Sequence, residues 1–145
     1  CSVGMGMAAI DASEMAQEGQ EFVFGLFGAT GLTLSVREDA LNAVTALSGS
    51  GPAYVYLFLQ ALIDGGMRCG LEEQDARLLA IQTIKGGAAM AEANPDTPLE
   101  ELIKAVSSKG GTTLAALEVL RRNDFPETVV KAMQAAERRA EELSR

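Results

Sequence analysis

Residues 106–113 read Val-Ser-Ser-Lys-Gly-Gly-Thr-Thr. Ser107, Ser108, Thr112 and Thr113 bring hydroxyls to either side of the adjacent pair Gly110 and Gly111. Adjacent glycines let a backbone turn sharply and bring its N–H groups close to a ligand. The run Leu114-Ala115-Ala116-Leu117-Glu118-Val119-Leu120 that follows reads as a helix. The first-turn N–H groups of any helix lack intrahelical acceptors. Backbone donors, hydroxyls and the positive end of a helix dipole therefore meet at one point, which suits a carboxylate or a phosphate. The same residue types also suit a plain interhelical turn with Thr112 or Thr113 as N-cap. The rest of the chain decides between the two.

Composition narrows the chemistry. The chain has 145 residues, 48% of them hydrophobic, enough for a globular domain with a core. Aromatic residues are 5% and Trp is absent, so the core must be built from Ala, Leu, Val, Ile and Met, as in close-packed helices. Net charge is −8, and the clustered cations are limited to Arg121-Arg122 and Arg138-Arg139, which excludes a nucleic-acid partner and reads as solvated helix faces. The chain has no His, so histidine-based triads, His metal sites and His acid catalysis are excluded. Cys1 and Cys69 are too few for a disulfide framework or a thiolate cluster, and a reducing, cytoplasmic location fits. No signal peptide opens the chain and no apolar run reaches about 18 residues, so no membrane span is expected. A chain that opens on Cys without Met reads as part of a longer protein.

The elements that must position the loop follow from periodicity. A candidate strand covers residues 2–10, a helix from Ser13 and Glu14 runs to Phe27 and ends at Gly28 or Gly31, and residues 32–36 alternate as a half-buried strand does. Strand, helix, strand is a poor domain by itself and reads as the end of a larger sheet. After Val36 the pattern is helical throughout. A helix opens at Glu38 or Asp39 and runs to about Ser48, where Gly49-Ser50-Gly51-Pro52 interrupts it. The next helix, from Pro52 to about Cys69, is apolar nearly all round and should be buried on most sides. Gly70 stops it. A long helix over residues 72–94 contains Gly86-Gly87, which weaken it but permit close approach of another helix. Shorter helices cover 98–107 and 112–123, and a last one over 126–143 carries a strongly charged face that should lie at the surface.

Gly4-Met5-Gly6-Met7-Ala8-Ala9 matches the spacing G-x-G-x-x-A of dinucleotide-binding turns. That turn should follow a strand and open a helix. Here it lies within a strand-like run and lacks the acidic residue after a second strand, so it is rejected as a cofactor site. A longer string is informative: Ala43-Val44-Thr45-Ala46-Leu47-Ser48-Gly49-Ser50-Gly51-Pro52-Ala53-Tyr54. Together with Val106-Ser107-Ser108, Gly110-Gly111-Thr112-Thr113, the intervening Ala61-Leu62-Ile63-Asp64-Gly65-Gly66 and Gly70-Leu71, it resembles the pyrroline-5-carboxylate reductases, and the likeness spans nearly the whole chain from Gly4.

The resemblance implies a mainly α fold: an interlocking all-helical dimerisation domain, like the C-terminal domain of 6-phosphogluconate dehydrogenase, preceded by a strand–helix–strand remnant of an α/β Rossmann domain. It implies a boundary near residue 36, with residues 1–36 the remnant and residues 37–145 the helical dimerisation and substrate-binding domain. It implies NAD(P)H-dependent reduction of 1-pyrroline-5-carboxylate to proline, with NADPH or NADH bound by the full-length enzyme and none by this fragment, and a homodimer able to assemble into a ring. By motif match, the substrate carboxylate sits on Ser108 and the N–H groups near Gly111 and Thr112. Thr113 reaches the ring nitrogen as the catalytic group, by hydrogen bonding or relay, because a hydroxyl is too weak an acid to serve as an efficient proton donor. Glu38 matches an acidic position near the substrate, and also reads as an ordinary first-turn acid at a helix N-terminus. Ser107 reads as a cap or packing residue. Many members have Pro where this chain has Lys109, and Ala105 stands where some members place a polar residue near the cofactor, so no cofactor contact is assigned. Two other readings compete. One is a hydroxy-acid-type dehydrogenase using Lys85 or Lys104. The other is a helical module used only for assembly.

Overall fold

A computed structural model describes residues 2–144; Cys1, counted above, lies outside them. The chain forms two compact units, one made of the residues up to Pro52 with those from Val130 onward, the other Ala53–Val129.

In the first unit β1 (Gly6–Ile10) and β2 (Gly31–Ser35) pair in parallel, with Gly6 opposite Gly31 and Ile10 opposite Ser35. Parallel neighbours need a crossover, which α1 (Gln17–Gly28) supplies. The start of the ladder is tight. Gly31 has φ +153°, and a Cβ there would sit 2.6 Å from the Gly6 carbonyl carbon. The expected strand from Ser2 begins only at Gly6. The dinucleotide-like glycines lead into this strand and open no helix, with Gly4 in the left-handed region at φ +70°.

The expected helix from Ser13 also starts later, at Gln17, because side chains hold the preceding loop in another shape. Ser13 N–H donates to Asp11 Oδ1 at 2.8 Å, and Gln20 Nε2 donates to the carbonyls of Ala12 and Met15, each at 3.0 Å. Local bonds of this kind offer the backbone an alternative to helix. The Ser13 hydroxyl, then the Ser13 and Glu38 N–H groups, hold the Asp11 carboxyl below its usual range.

Beyond β2 a short 3₁₀ turn (Glu38–Ala40) leads into α2 (Leu41–Val44), a π-helical turn (Thr45–Gly49) and α3 (Gly51–Arg68). The Gly-Ser-Gly-Pro segment was expected to interrupt the helix. It is instead absorbed by the π turn, in which Ser50 N–H reaches back to the Thr45 carbonyl at 2.8 Å. Pro52 can donate no N–H to Ser48 and its ring would crowd that carbonyl, so a wider turn relieves the conflict. The resulting helical stretch, Glu38–Arg68, has 31 residues and is long and apolar enough to cross a membrane by length and composition alone. Thr45, Ser48, Ser50 and Gln60 interrupt it, so it contains no unbroken apolar run of about 18 residues.

In the second unit α3 turns into α4 (Glu73–Ala93) through Gly70, which has φ +97°. Leu71 N–H closes on the Gly66 carbonyl at 3.0 Å, as in a Schellman cap. Ile63, Ala76 and Ala80 form the core here, with Leu59 and Leu62 packed on it. Then come α5 (Leu99–Ala105), α6 (Thr112–Arg122) and α7 (Phe125–Leu143). The ring of Phe58 lies 5.9 Å from that of Phe125.

The burial of α3 departs from expectation. Ile63 is its buried residue, while Leu57 is 74% exposed and Val55, Tyr56, Phe58 and Met67 are exposed with it. A helix apolar all round needs neighbours on all sides, and one chain supplies too few. Gly86 and Gly87 likewise face open space, with nothing within 4 Å of an added Cβ, so the close approach expected there does not occur within the chain.

Three outcomes follow. Gly31→Ala should destabilise the chain by about 1–3 kcal/mol in urea unfolding, since the position combines positive φ with backbone overlap. Gly25→Ala, mid-helix and unobstructed, should be neutral or stabilising by about 0.5–1 kcal/mol. Because folding lowers the Asp11 pKa, its contribution to stability is complete above the unfolded value of 3.8 and is lost as pH falls through the lower native value. Asp11→Asn should therefore flatten the acid limb of a plot of urea midpoint against pH.

Candidate functional site

The chain leaves α5 through Ser107. Its N–H donates to the Lys104 carbonyl at 3.1 Å and its hydroxyl to the Ile103 carbonyl at 2.6 Å. Ser107 thus closes a helix end, in line with the cap reading. A tight turn follows, in which Gly111 N–H donates to the Ser108 carbonyl at 2.9 Å. Its two glycines serve different purposes. Gly110 adopts φ +72°, a left-handed conformation that side chains disfavour. Gly111 has an ordinary φ of −80°, but a Cβ there would collide with the Ser108 hydroxyl and lie 3.0 Å from the Ser108 carbonyl oxygen. Its missing side chain is what lets Ser108 fold back over the start of α6.

Gly111 is the N-cap of α6, and no side chain caps the helix. The N-cap is thus neither Thr112 nor Thr113, the residues expected to cap in the plain-turn alternative. The first intrahelical bond is Ala115 N–H to the Gly111 carbonyl, at 3.4 Å. The N–H groups of Thr112, Thr113 and Leu114 have no acceptor among the described residues and sit at the positive end of an 11-residue helix. One expectation is corrected here. The Gly111 N–H is already engaged by Ser108, because the turn closes on itself, so the open donors begin at Thr112 and Gly111 contributes space.

Ser108, Gly111, Thr112 and Thr113 therefore share one turn, with Ser108 and Thr112 exposed and Thr113 half-buried. Lys109 lies to one side. With Lys104, Arg121 and Glu100 it lines a cleft of about 340 Å³ floored by Ile103 and Leu114. Arg121 is paired there with Glu100 at 2.8 Å. Lys85 is exposed on α4.

Glu38 belongs to the first unit, exposed at the head of its 3₁₀ turn. Its neighbours Arg37 and Asp39 pair with each other. Its backbone N–H helps to hold the Asp11 carboxyl below its usual range, a link that sequence reasoning missed. The available signal was Asp-x-Ser directly after a strand, a pattern in which the carboxylate turns back on the chain.

Among the described residues no group of three His, Cys, Asp or Glu side chains is arranged to hold a metal. The parallel pair has no glycine turn at a helix N-terminus, the feature that cradles a dinucleotide pyrophosphate.

Comparison with known proteins places this geometry. Residues 38–143 match the family model described as pyrroline-5-carboxylate reductase dimerisation. A pyrroline-5-carboxylate reductase from Synechocystis is 41% identical over 145 residues, covering 99% of this chain and 54% of that protein. Among solved structures, a pyrroline-5-carboxylate reductase from Coxiella burnetii superposes with a TM-score of 0.93 at 36% identity, covering 99% of this chain and 54% of that one. The Plasmodium falciparum pyrroline carboxylate reductase, solved with NADP bound, gives 0.89 at 34% identity over 95% of this chain and 53% of that one. The chain thus spans about half the length of the relatives it matches. On the match across residues 38–143, the chain belongs to the pyrroline-5-carboxylate reductase dimerisation family.

Proposed function

We propose that this chain is the pairing and substrate-gripping half of a pyrroline-5-carboxylate reductase, which reduces 1-pyrroline-5-carboxylate to proline. The observation that carries this reading is the uncapped start of α6, where the N–H groups of Thr112, Thr113 and Leu114 lie open beside the Ser108 hydroxyl. A small carboxylate can accept from several of these donors at once, and the helix dipole favours its charge. Gly110 and Gly111 keep the approach clear. With the acid end fixed, the Thr113 hydroxyl is assigned to the ring nitrogen, where it can accept from a protonated imine. Glu38 is assigned to the substrate on family resemblance alone.

Bound NADPH or NADH supplies the hydride in the whole reductase, and we assign no cofactor contact to this chain. The chain by itself is accordingly proposed to be inactive. The boundary between the Rossmann remnant and the helical domain is kept near residue 36, and a cytoplasmic location fits the absence of a disulfide framework.

The partner is proposed to be a second copy of the same chain. The apolar faces of α3 and the open glycines Gly86 and Gly87 on α4 suit an interlocked homodimer, and they account for the apolar composition of Glu38–Arg68 without a membrane. Assembly of dimers into a ring is compatible with this arrangement.

Three measurements test the reading. Gly111→Ala in the full-length reductase should raise KM for pyrroline-5-carboxylate about tenfold, a loss of about 1.4 kcal/mol in binding. Thr113→Ala should lower turnover by about 10²–10⁴-fold, and unchanged turnover would remove Thr113 from the chemistry. Sedimentation should show the chain as a dimer that Gly86→Leu weakens, whereas a well-folded monomer at micromolar concentration would overturn the pairing.

A further inference from the structure

The chain enters the Ser108 turn from α5 and leaves it along α6, and the cleft of about 340 Å³ is walled by both helices and by the turn itself. Its floor is apolar: Ile103 and Leu117 are half-buried, with Leu114 beside them. Its rim carries Glu100, Lys104, Lys109 and Arg121, and their charges do not balance. Arg121 is neutralised by Glu100 at 2.8 Å. Lys104 and Lys109 have no ion pair or hydrogen bond among the described residues. Two ammonium groups thus stand uncompensated over one cleft of a chain whose net charge is −8. Lys104 lies in the last turn of α5, where a cation offsets the helix dipole. That accounts for neither Lys109 nor the apolar floor. Sites for small ligands have this size and make-up, about 300–1,000 Å³ with apolar walls and a few placed polar groups.

We infer that this cleft is a binding site for a small organic acid, whose apolar body rests on Ile103, Leu114 and Leu117 while its carboxylate meets the ammonium groups of Lys104 and Lys109. The floor disfavours an inorganic anion, which has nothing to bury there. The ammonium pair disfavours a neutral molecule of the same shape. The site uses side-chain cations and is separate from the peptide donors of Thr112, Thr113 and Leu114, so it stands whether or not those donors grip a substrate. Ser107 and Leu114 flank the Ser108 turn and also line the cleft. An acid held there adjoins the turn without occupying it.

The test is a titration of the full-length reductase with benzoate, followed by methyl NMR, with benzamide and sulfate as controls. Benzoate should shift the Ile103 and Leu117 methyl signals saturably. Lys104→Gln and Lys109→Gln should each weaken it about 2- to 5-fold, as loss of an exposed charge contact does, and the double variant about tenfold. Added salt should weaken binding to the parent and act much less on the double variant. Benzamide lacks the charge and sulfate the apolar body, so both should bind far more weakly than benzoate. Lys104→Arg/Lys109→Arg keeps both charges and should keep most of the affinity, which separates lost charge from lost fold. No saturable shift at these methyls overturns the inference, as it would if an acidic segment of a second copy filled the cleft. Equal affinity in the glutamine double variant, or for benzamide or sulfate, overturns it too, and so does a loss in the arginine pair as large as in the glutamine pair.

Discussion

A chain of this composition cannot bury enough of itself. Its buried hydrophobic residues are Ala12, Ala46, Ile63, Ala76 and Ala80, four of them alanines with little surface to remove from water. Each Leu, Phe or Met left in solvent forgoes about 1.5–3 kcal/mol of burial, and α3 alone leaves Leu57, Phe58 and Met67 outside. Exposed apolar side chains of this number are what an interface would cover. Under the pairing proposed above, folding and association are one equilibrium, and stability depends on protomer concentration.

The turn before α6 obeys a second constraint, local and polar. A good side-chain cap is worth about 1 kcal/mol. α6 begins at Gly111 without one, as α1, α4 and α5 also begin without one, and what distinguishes α6 is the two threonines that follow immediately. The hydroxyls that could close the helix end are left available, and Ser108 is folded over the same point by a glycine that leaves it room. Ser107, one residue earlier, shows the contrast: its hydroxyl is bonded to the Ile103 carbonyl and closes α5.

What was legible in the sequence follows from the range of the forces involved. The helices after residue 50 fall within a residue or two of their expected limits because Gly70, Pro98, the Gly110-Gly111 pair and Pro126 punctuate them by local backbone sterics. The turn at 106–113 was legible for the same reason. The late start of α1 was not, because it depends on Gln20 reaching back to Ala12 and Met15. The π turn was not, because Gly49 and Pro52 signal a break equally well when the helix accommodates them. The exposure of α3 was invisible to periodicity, which reports that a face is apolar and not which molecule covers it. The bond from Val36 N–H to the Ile10 carbonyl joins residues far apart in sequence through a parallel ladder, and no local pattern encodes it.

The donors at the head of α6 are peptide amides, and peptide amides do not titrate. An acid held by them keeps its grip from mildly acidic to alkaline conditions, for as long as the acid itself stays ionised. A lysine-based grip would weaken as the ammonium lost its proton; this one has no proton to lose. Under the proposed assignment, any pH response of the reaction originates in the ring nitrogen or in carboxylates elsewhere, with the acid end of the ligand a fixed pivot about which the rest can change protonation state.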